Sequence, residues 1–122
     1  MFAPLSKLQL TMHKNVLKYK SVYGEGGQCA ANTCMQLRKI CNHPFLFPKI
    51  ENEDQPSLSD LLFTESGKMQ VLDKLVTKLL KEDHKILIFS QFTTMLDIIQ
   101  DYCTHKDIEV SRIDGSKTLD ER

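Results

Sequence analysis

The stretch KILIFSQFTTMLDIIQDYC at residues 85–103 decides the predicted fold, because its hydrophobic pattern changes partway along. Residues 85–90 form an apolar run bounded by polar residues, which is typical of a strand buried on both faces. After residue 92 the apolar side chains recur at helical spacing, at Met95, Ile98, Ile99 and Tyr102. The stretch therefore predicts a strand followed by a helix.

A second predicted strand follows at residues 108–115, IEVSRIDG, and it ends at a glycine. Thr118 with Glu121 three positions later is a capping-box pattern, which predicts the start of another helix. Strand, helix and strand in this order make a βαβ unit with a right-handed crossover. The predicted fold class is α/β: an N-terminal helical segment followed by the first βαβ part of a parallel sheet, left incomplete.

The N-terminal part of the chain predicts helices. Ser6 is a suitable N-cap for a helix that runs to about Tyr19. A second helix is expected from about Ala30 to Cys41, and Pro44 ends it because the residue before a proline disfavours helical backbone. A further helix is indicated by the apolar positions Leu72, Leu75, Val76, Leu79 and Leu80.

An acidic stretch with two prolines, residues 48–65, interrupts these patterns and predicts an exposed connection. We therefore expect three parts: a helical segment at 1–47, the connection at 48–65, and the strand-containing part at 66–122.

Charge is divided unevenly along a chain whose formal net charge is zero. Residues 1–50 hold seven Lys or Arg and one acid, a net +6, and the remaining residues hold nine basic and fifteen acidic side chains, a net −6. A basic half can meet a polyanion. Ordinary solvated helix faces would also account for the lysines.

The 122 residues suffice for one domain with a modest core. No apolar stretch approaches the roughly 18 to 20 residues that cross a bilayer, and the N-terminus lacks a signal-peptide pattern, so no membrane association is expected. A reducing compartment follows, in which the four cysteines are expected to be free thiols.

A metal site could be imagined from Cys29, Cys34, Cys41 and His43. Zinc ligands are normally paired two to four residues apart in a tight turn, whereas Cys34 and Cys41 are two helical turns apart on an apolar stripe. We therefore expect no metal. His43 precedes Pro44 at a helix end, where a structural histidine bonded to a free carbonyl is a better interpretation than a nucleophile pair.

The two loops that follow the predicted strands are better candidates for a binding site. SQFTT (90–94) and DGSKT (114–118) lie at the carboxyl ends of parallel strands, where open α/β sheets bind ligands. Each supplies hydroxyl and amide donors beside a helix N-terminus, which favours anions, and Arg112 is close by. Simple helix caps and a simple turn are the alternative.

The Gly-Lys at residues 67–68 lacks the preceding glycines of a phosphate-binding P-loop.

Five blocks of the sequence, taken together, resemble a known family. They are LSKLQLTMHKNVL, MQLRKICNHPFLF, SGKMQVLDKLVTKL, KILIFSQFTTMLDIIQDYC and SRIDGSKTLDER. Their order and spacing are similar to those of Swi/Snf-type chromatin-remodelling ATPases of helicase superfamily two, and closest to the imitation-switch and lymphoid-specific-helicase branches.

The resemblance implies a place in a two-lobed, RecA-like motor that couples ATP hydrolysis to translocation on duplex DNA in nucleosomes. Residues 1–47 resemble the helical end of lobe one, and residues 66–122 resemble the start of the C-terminal helicase lobe. The family's phosphate-contacting loops correspond to Ser90, Gln91, Arg112, Gly115 and Ser116, and Arg38 and Lys39 are further DNA-contact candidates.

The resemblance also implies limits. The lobe-one phosphate-binding loop and acidic box, and the arginine-bearing motifs of lobe two, have no counterpart in these residues. We expect no catalytic residue and no bound cofactor here, whereas the parent protein uses ATP and Mg and acts in the nucleus with remodeller subunits. An unpaired sheet edge would allow self-association. The alternative is a non-catalytic protein-interaction module from a truncated gene product.

Overall fold

The computed structural model describes residues 1–27, 32–47 and 62–115. The chain divides into two compact units, residues 1–88 and residues 89–122. The described elements are α1 (Lys7–Tyr19), α2 (Thr33–Asn42), a short 3-10 turn (Pro44–Leu46), α3 (Gly67–Lys81) and α4 (Thr93–His105). None of the described helices is long and apolar enough to cross a membrane.

Helix α1 starts at the predicted residue because its cap is built from local partners. The Ser6 hydroxyl accepts from the Gln9 N–H at 3.1 Å, and the Gln9 side-chain oxygen accepts from the Ser6 N–H at 2.8 Å. This reciprocal capping box confirms Ser6 as N-cap. The helix ends after Tyr19 because Lys20 turns into the left-handed region at φ 58°.

Helix α2 lies slightly later than predicted. It begins at Thr33 because the Asn32 side chain accepts from the Met35 N–H, which is a local cap. It ends at Asn42, and Pro44 opens the 3-10 turn. The predicted stop before the proline is therefore confirmed, whereas Ala30 lies outside the described residues.

The core of the first unit forms between α1, α2 and the segments that follow them. Its buried members are Met12, Val16, Val22, Ile40 and Phe47. Leu8 and Leu37 pack against this cluster. Burying a side chain of this size contributes about 1.5–3 kcal/mol, so this small cluster needs help from polar contacts.

That help comes from a polar junction, which we define as Ser6, Gln9, Asn42, Ser66 and Gly67. Gln9 is fully buried; its amide donates to the Ile40 carbonyl at 2.8 Å and its oxygen accepts from the Gly67 N–H at 3.1 Å. The Ser66 hydroxyl donates to the Asn42 carbonyl at 2.6 Å, and the Ser6 hydroxyl donates to the Glu65 carbonyl at 2.8 Å. The polar junction thereby ties the start of α1 and the end of α2 to the start of α3.

Gly67 permits this close approach. A Cβ at this position would lie 1.6 Å from the carbonyl oxygen of Pro4. A glycine is therefore required at the first residue of α3 by the space available and not by its backbone angle.

The predicted strands are wrong. Residues 84–90 and 108–113 have no regular secondary structure, and the described part of the chain contains no strand or sheet. The α/β fold class is therefore contradicted, and the described residues form a helical structure. The physical reason is that a strand needs backbone partners on a neighbouring strand, and a parallel sheet also needs both faces covered. Apolar side chains such as Leu87 and Phe89 are accordingly exposed, at 84% and 90%.

The second unit contains α4, as its hydrophobic pattern predicted. Met95, Ile98, Ile99, Tyr102 and Cys103 are buried on its inner side. The predicted capping box of Thr118 and Glu121 lies outside the described residues.

Candidate nucleic-acid interface

Residues at or next to the two loops selected from the sequence lie at the start of α4. The first loop leads into the helix, where the Ser90 hydroxyl accepts from the Phe92 N–H at 3.2 Å and lies 3.1 Å from the Phe92 carbonyl. Arg112, two residues before the second loop, contacts the first turn of α4. Its Nη2 donates to the Thr93 carbonyl at 3.3 Å. The strands that were expected to bring the loops together are absent from the described residues, and residues 116–118 of the second loop lie outside those residues.

The N-cap residue of helix α4 does not cap the helix with its side chain. Phe92 occupies the N-cap position and makes no side-chain cap hydrogen bond. The first N–H groups of a helix carry a partial positive charge and need acceptors. This end of α4 therefore offers an electrostatic environment that suits an anion.

Arg112 is held by a dense set of acceptors. Nη1 donates to Asp97 at 2.5 Å and to Gln100 at 3.3 Å, and Nε donates to Asp114 at 2.6 Å. The hydrogen bonds that Arg112 donates to Asp97 and, to a smaller extent, to Asp114 raise the pKa of Arg112 above its ordinary value. The guanidinium is therefore a fixed positive charge between two carboxylates.

The other predicted residues of this interface are distributed around that cluster. Ser90 is half-buried, and Gln91 is exposed. Gly115 is exposed, with no atom within 4 Å of the position that a Cβ would take. Ser116 lies outside the described residues. Of the predicted residues in these two loops, Gln91 and Gly115 are thus open to solvent, and their role as DNA contacts stays a prediction.

Arg38 and Lys39 belong to the first unit, on α2. Arg38 is exposed, and Lys39 is half-buried with its amine 5.9 Å from the centre of the Phe47 ring. A lysine at this distance over an aromatic face gains a modest cation–π attraction. Their DNA-contact role stays a prediction.

His43 has a structural role. Its Nδ1 accepts from the Phe45 N–H at 3.0 Å, so Nε2 carries the proton and donates to the Leu62 carbonyl at 3.1 Å. Burial lowers the pKa of His43 from 6.5 to about 4, against a smaller raising effect of the bond to Leu62. The ring is therefore neutral at pH 7 and joins the end of α2 to the residues before α3.

The cysteines give no sign of a metal centre within the described ranges. Cys34 is exposed, Cys41 is half-buried and Cys103 is buried, each as a free thiol. Burial raises the pKa of the Cys103 thiol. No group of three or more His, Cys, Asp or Glu side chains among the described residues could hold an ion, and Cys29 lies outside them.

Sequence reasoning missed two groups of functional interest. Asp97 and Gln100, three residues apart on α4, are the partners of Arg112, and their spacing on one helix face was a readable signal. Gln9 and Ser66 in the polar junction gave a weaker signal, because a cap residue is usually exposed.

The comparisons with known proteins agree with these blocks of sequence. The family model for the helicase conserved C-terminal domain matches residues 67–122. That match begins at the first residue of α3 and includes both candidate loops.

Relatives align along nearly the whole chain. The Nuclear protein STH1/NPS1 of Saccharomyces cerevisiae is 40% identical over 97% of the chain, and the SWI/SNF chromatin-remodeling complex subunit snf22 of Schizosaccharomyces pombe is 40% identical over 98%. The ISWI chromatin-remodeling complex ATPase CHR17 of Arabidopsis thaliana is 43% identical over 97%. The chain spans only 10%, 8% and 11% of these three proteins, respectively.

Proposed function

Because this chain belongs to the Swi/Snf-type family of chromatin-remodelling ATPases, we propose that it works as one segment of an ATP-dependent remodeller that translocates on duplex DNA. Its share of the mechanism is to hold the DNA backbone at the start of α4 and to link the two lobes of the motor. The proposed parts are the end of lobe one at residues 1–47, the connection at 48–65 and the start of lobe two at 66–122.

The observation that carries the proposal is the hydrogen bond from Arg112 to the Thr93 carbonyl. It brings the residues before the second loop to the start of α4, where the N-cap residue Phe92 makes no side-chain cap hydrogen bond. In this proposal the phosphate is held near Ser90, Gln91 and Gly115, where the N–H groups and the dipole of the helix N-terminus attract it. Arg112 and Ser116 complete the proposed loops, and Arg38 with Lys39 form a second contact on α2. Contacts of this kind position a protein on DNA without reading its sequence.

ATP and magnesium belong to the parent protein in this proposal. The described residues contain no cluster of acidic ligands for a divalent cation, and the Gly-Lys of residues 67–68 has no preceding glycine-rich loop. The residues that the structure describes do not fit a nucleotide–metal site. Nucleosomes, remodeller subunits and a nuclear location are likewise assigned to the parent.

DNA binding by the 122-residue chain tests the proposal. Fluorescence anisotropy with a labelled duplex should show affinity that falls steeply between about 50 and about 200 mM salt, because bound cations are released from the phosphates. Gln91→Glu places a negative charge beside the proposed phosphate and should weaken binding by about fivefold, which corresponds to about 1 kcal/mol.

Gln70→Glu is the matched control, since Gln70 is also exposed but lies on α3 in the first unit. It should leave the affinity nearly unchanged. Equal effects of the two substitutions would show that the DNA contact is not at the start of α4. Salt-insensitive binding to a protein or peptide, with no binding to DNA, would favour a protein-interaction module instead.

A further inference from the structure

We propose that Arg112 is a positioning residue: it fastens the residues before the second loop to α4 and offsets one of the two charges of Asp97 and Asp114, so that other groups at the start of α4 meet the DNA phosphate. This inference rests on the proposed function. It differs from the direct phosphate contact that the family resemblance implies for Arg112.

The contacts of the guanidinium carry the inference. Each nitrogen of the guanidinium has an oxygen partner. Nε donates to Asp114, and Nη1 donates to Asp97 and Gln100. Nη2 lies 2.6 Å from Asp114 and donates to the Thr93 carbonyl. A guanidinium has no further donors to offer. A phosphate could reach Arg112 only by displacing a partner that is already charged or fixed.

Burial points the same way. The side chain of Arg112 is 20% exposed, and that of Asp114 is 4% exposed. The ion pair between them is therefore screened less by water than a surface pair. Its partners come from both sides of the interface, since Asp97 and Gln100 lie on α4 whereas Asp114 lies in the loop itself.

Charge explains why the interface needs this arrangement. Two carboxylates near the start of α4 would repel a phosphate, and they would also weaken the attraction of the helix N-terminus. Arg112 offsets one of the two charges and holds both carboxylates in fixed positions. Gly115, the residue after Asp114, is exposed.

The direction in which Asp97→Ala changes the affinity for DNA distinguishes a positioning role of Arg112 from a direct phosphate contact. If Arg112 contacted the phosphate directly, Asp97→Ala would free the guanidinium and strengthen DNA binding. If Arg112 is a positioning residue, Asp97→Ala should weaken binding by about threefold to tenfold, although it removes a negative charge from the vicinity of a polyanion. Asp101→Ala is the matched control, because Asp101 is an exposed acid on the same helix.

Arg112→Lys adds a second readout. Lysine retains the charge but loses the planar fork that spans two carboxylates. We expect affinity to fall about as far as in Arg112→Ala, with the slope of affinity against salt unchanged. Near-wild-type binding by Arg112→Lys, with a slope lowered by about 0.9 in Arg112→Ala, would instead identify a phosphate contact and overturn the inference.

A measurement without DNA separates this inference from the proposed function. Trypsin must extract the Arg112 side chain and extend the loop to cleave after it, so cleavage there reports local opening. Asp97→Ala should raise the rate of cleavage after Arg112 at least severalfold, and Asp101→Ala should not. Unchanged cleavage in Asp97→Ala overturns the fastening role even if DNA binds.

A different result is that the unsubstituted chain fails to bind DNA while Asp97→Ala is still cleaved faster. That result leaves the fastening role standing and removes the proposed function.

Discussion

At the scale of single residues, His43 shows how a reactive-looking side chain serves structure. It is fully buried and bonded through both ring nitrogens. Its donor reaches Leu62, just before α3, and its acceptor fixes Phe45 after α2. The cost of protonating such a ring falls on the folded state alone, because the unfolded chain hydrates the charged form.

This predicts a specific acid sensitivity. The pKa of His43 is lowered from 6.5 to about 4 by burial, so between those pH values the unfolded state binds a proton that the folded state does not. The stability contributed by the neutral ring is complete above pH 6.5 and is lost as the pH falls towards 4. The full shift corresponds to about 3 kcal/mol.

Urea unfolding at a series of pH values measures the effect. His43→Asn should flatten the fall in unfolding free energy between pH 6.5 and 4, even if its stability at pH 7 is lower. His84→Asn, at a histidine whose side chain is 58% exposed, is the control and should keep the steepness of the unsubstituted chain. A fall in His43→Asn as steep as in the unsubstituted chain would show that other groups cause the acid sensitivity.

At the scale of elements, one buried side chain connects three helices. Gln9 caps α1 through Ser6, donates to Ile40 of α2 and accepts from Gly67 of α3. Gln9→Glu keeps the size and the acceptor oxygen but replaces the donor to Ile40 by a second oxygen. We expect a loss of about 2–4 kcal/mol in unfolding free energy, since a buried charge then faces a carbonyl.

Gln70→Glu provides the comparison for Gln9→Glu. Gln70 also donates to a backbone carbonyl, that of Thr64, but it is exposed. Gln70→Glu should therefore lower the unfolding free energy by no more than about 0.5 kcal/mol. Similar losses for the two variants in urea unfolding would mean that the polar junction contributes little to holding the helices together.

The elements also show what could be predicted from sequence and why. Helix starts were accessible because capping is local: Ser6 was identified as a cap from its neighbours alone. The strands were predicted wrongly because the apolar run at 85–90 reports a preference for burial but not the presence of strands to pair with. For the candidate site, the spacing of Asp97 and Gln100 on one helix face could be read locally, but their pairing with Arg112 depends on how the chain folds back, and the role of the two loops stays a prediction.

At the scale of the whole molecule, charge and exposed apolar surface suggest two different kinds of contact. The basic first half favours binding that weakens with salt. The exposed apolar residues Leu87, Phe89 and Ile113 lie instead in segments without regular secondary structure, which we call the irregular segments (84–90 and 108–113), and they favour contacts that salt does not weaken.

We therefore predict that the isolated chain self-associates through the irregular segments. Sedimentation velocity over a series of protein concentrations should show reversible oligomers that persist at high salt. Leu87→Lys combined with Phe89→Lys should shift the chain towards monomer, because lysines on an unpaired strand-like segment oppose edge-to-edge pairing. Leu17→Lys, at a leucine of α1 that is 57% exposed, is the control for general loss of apolar surface. An equal shift towards monomer in Leu17→Lys would place the association on the helices. A monomer at every protein concentration would show that the irregular segments do not associate between copies.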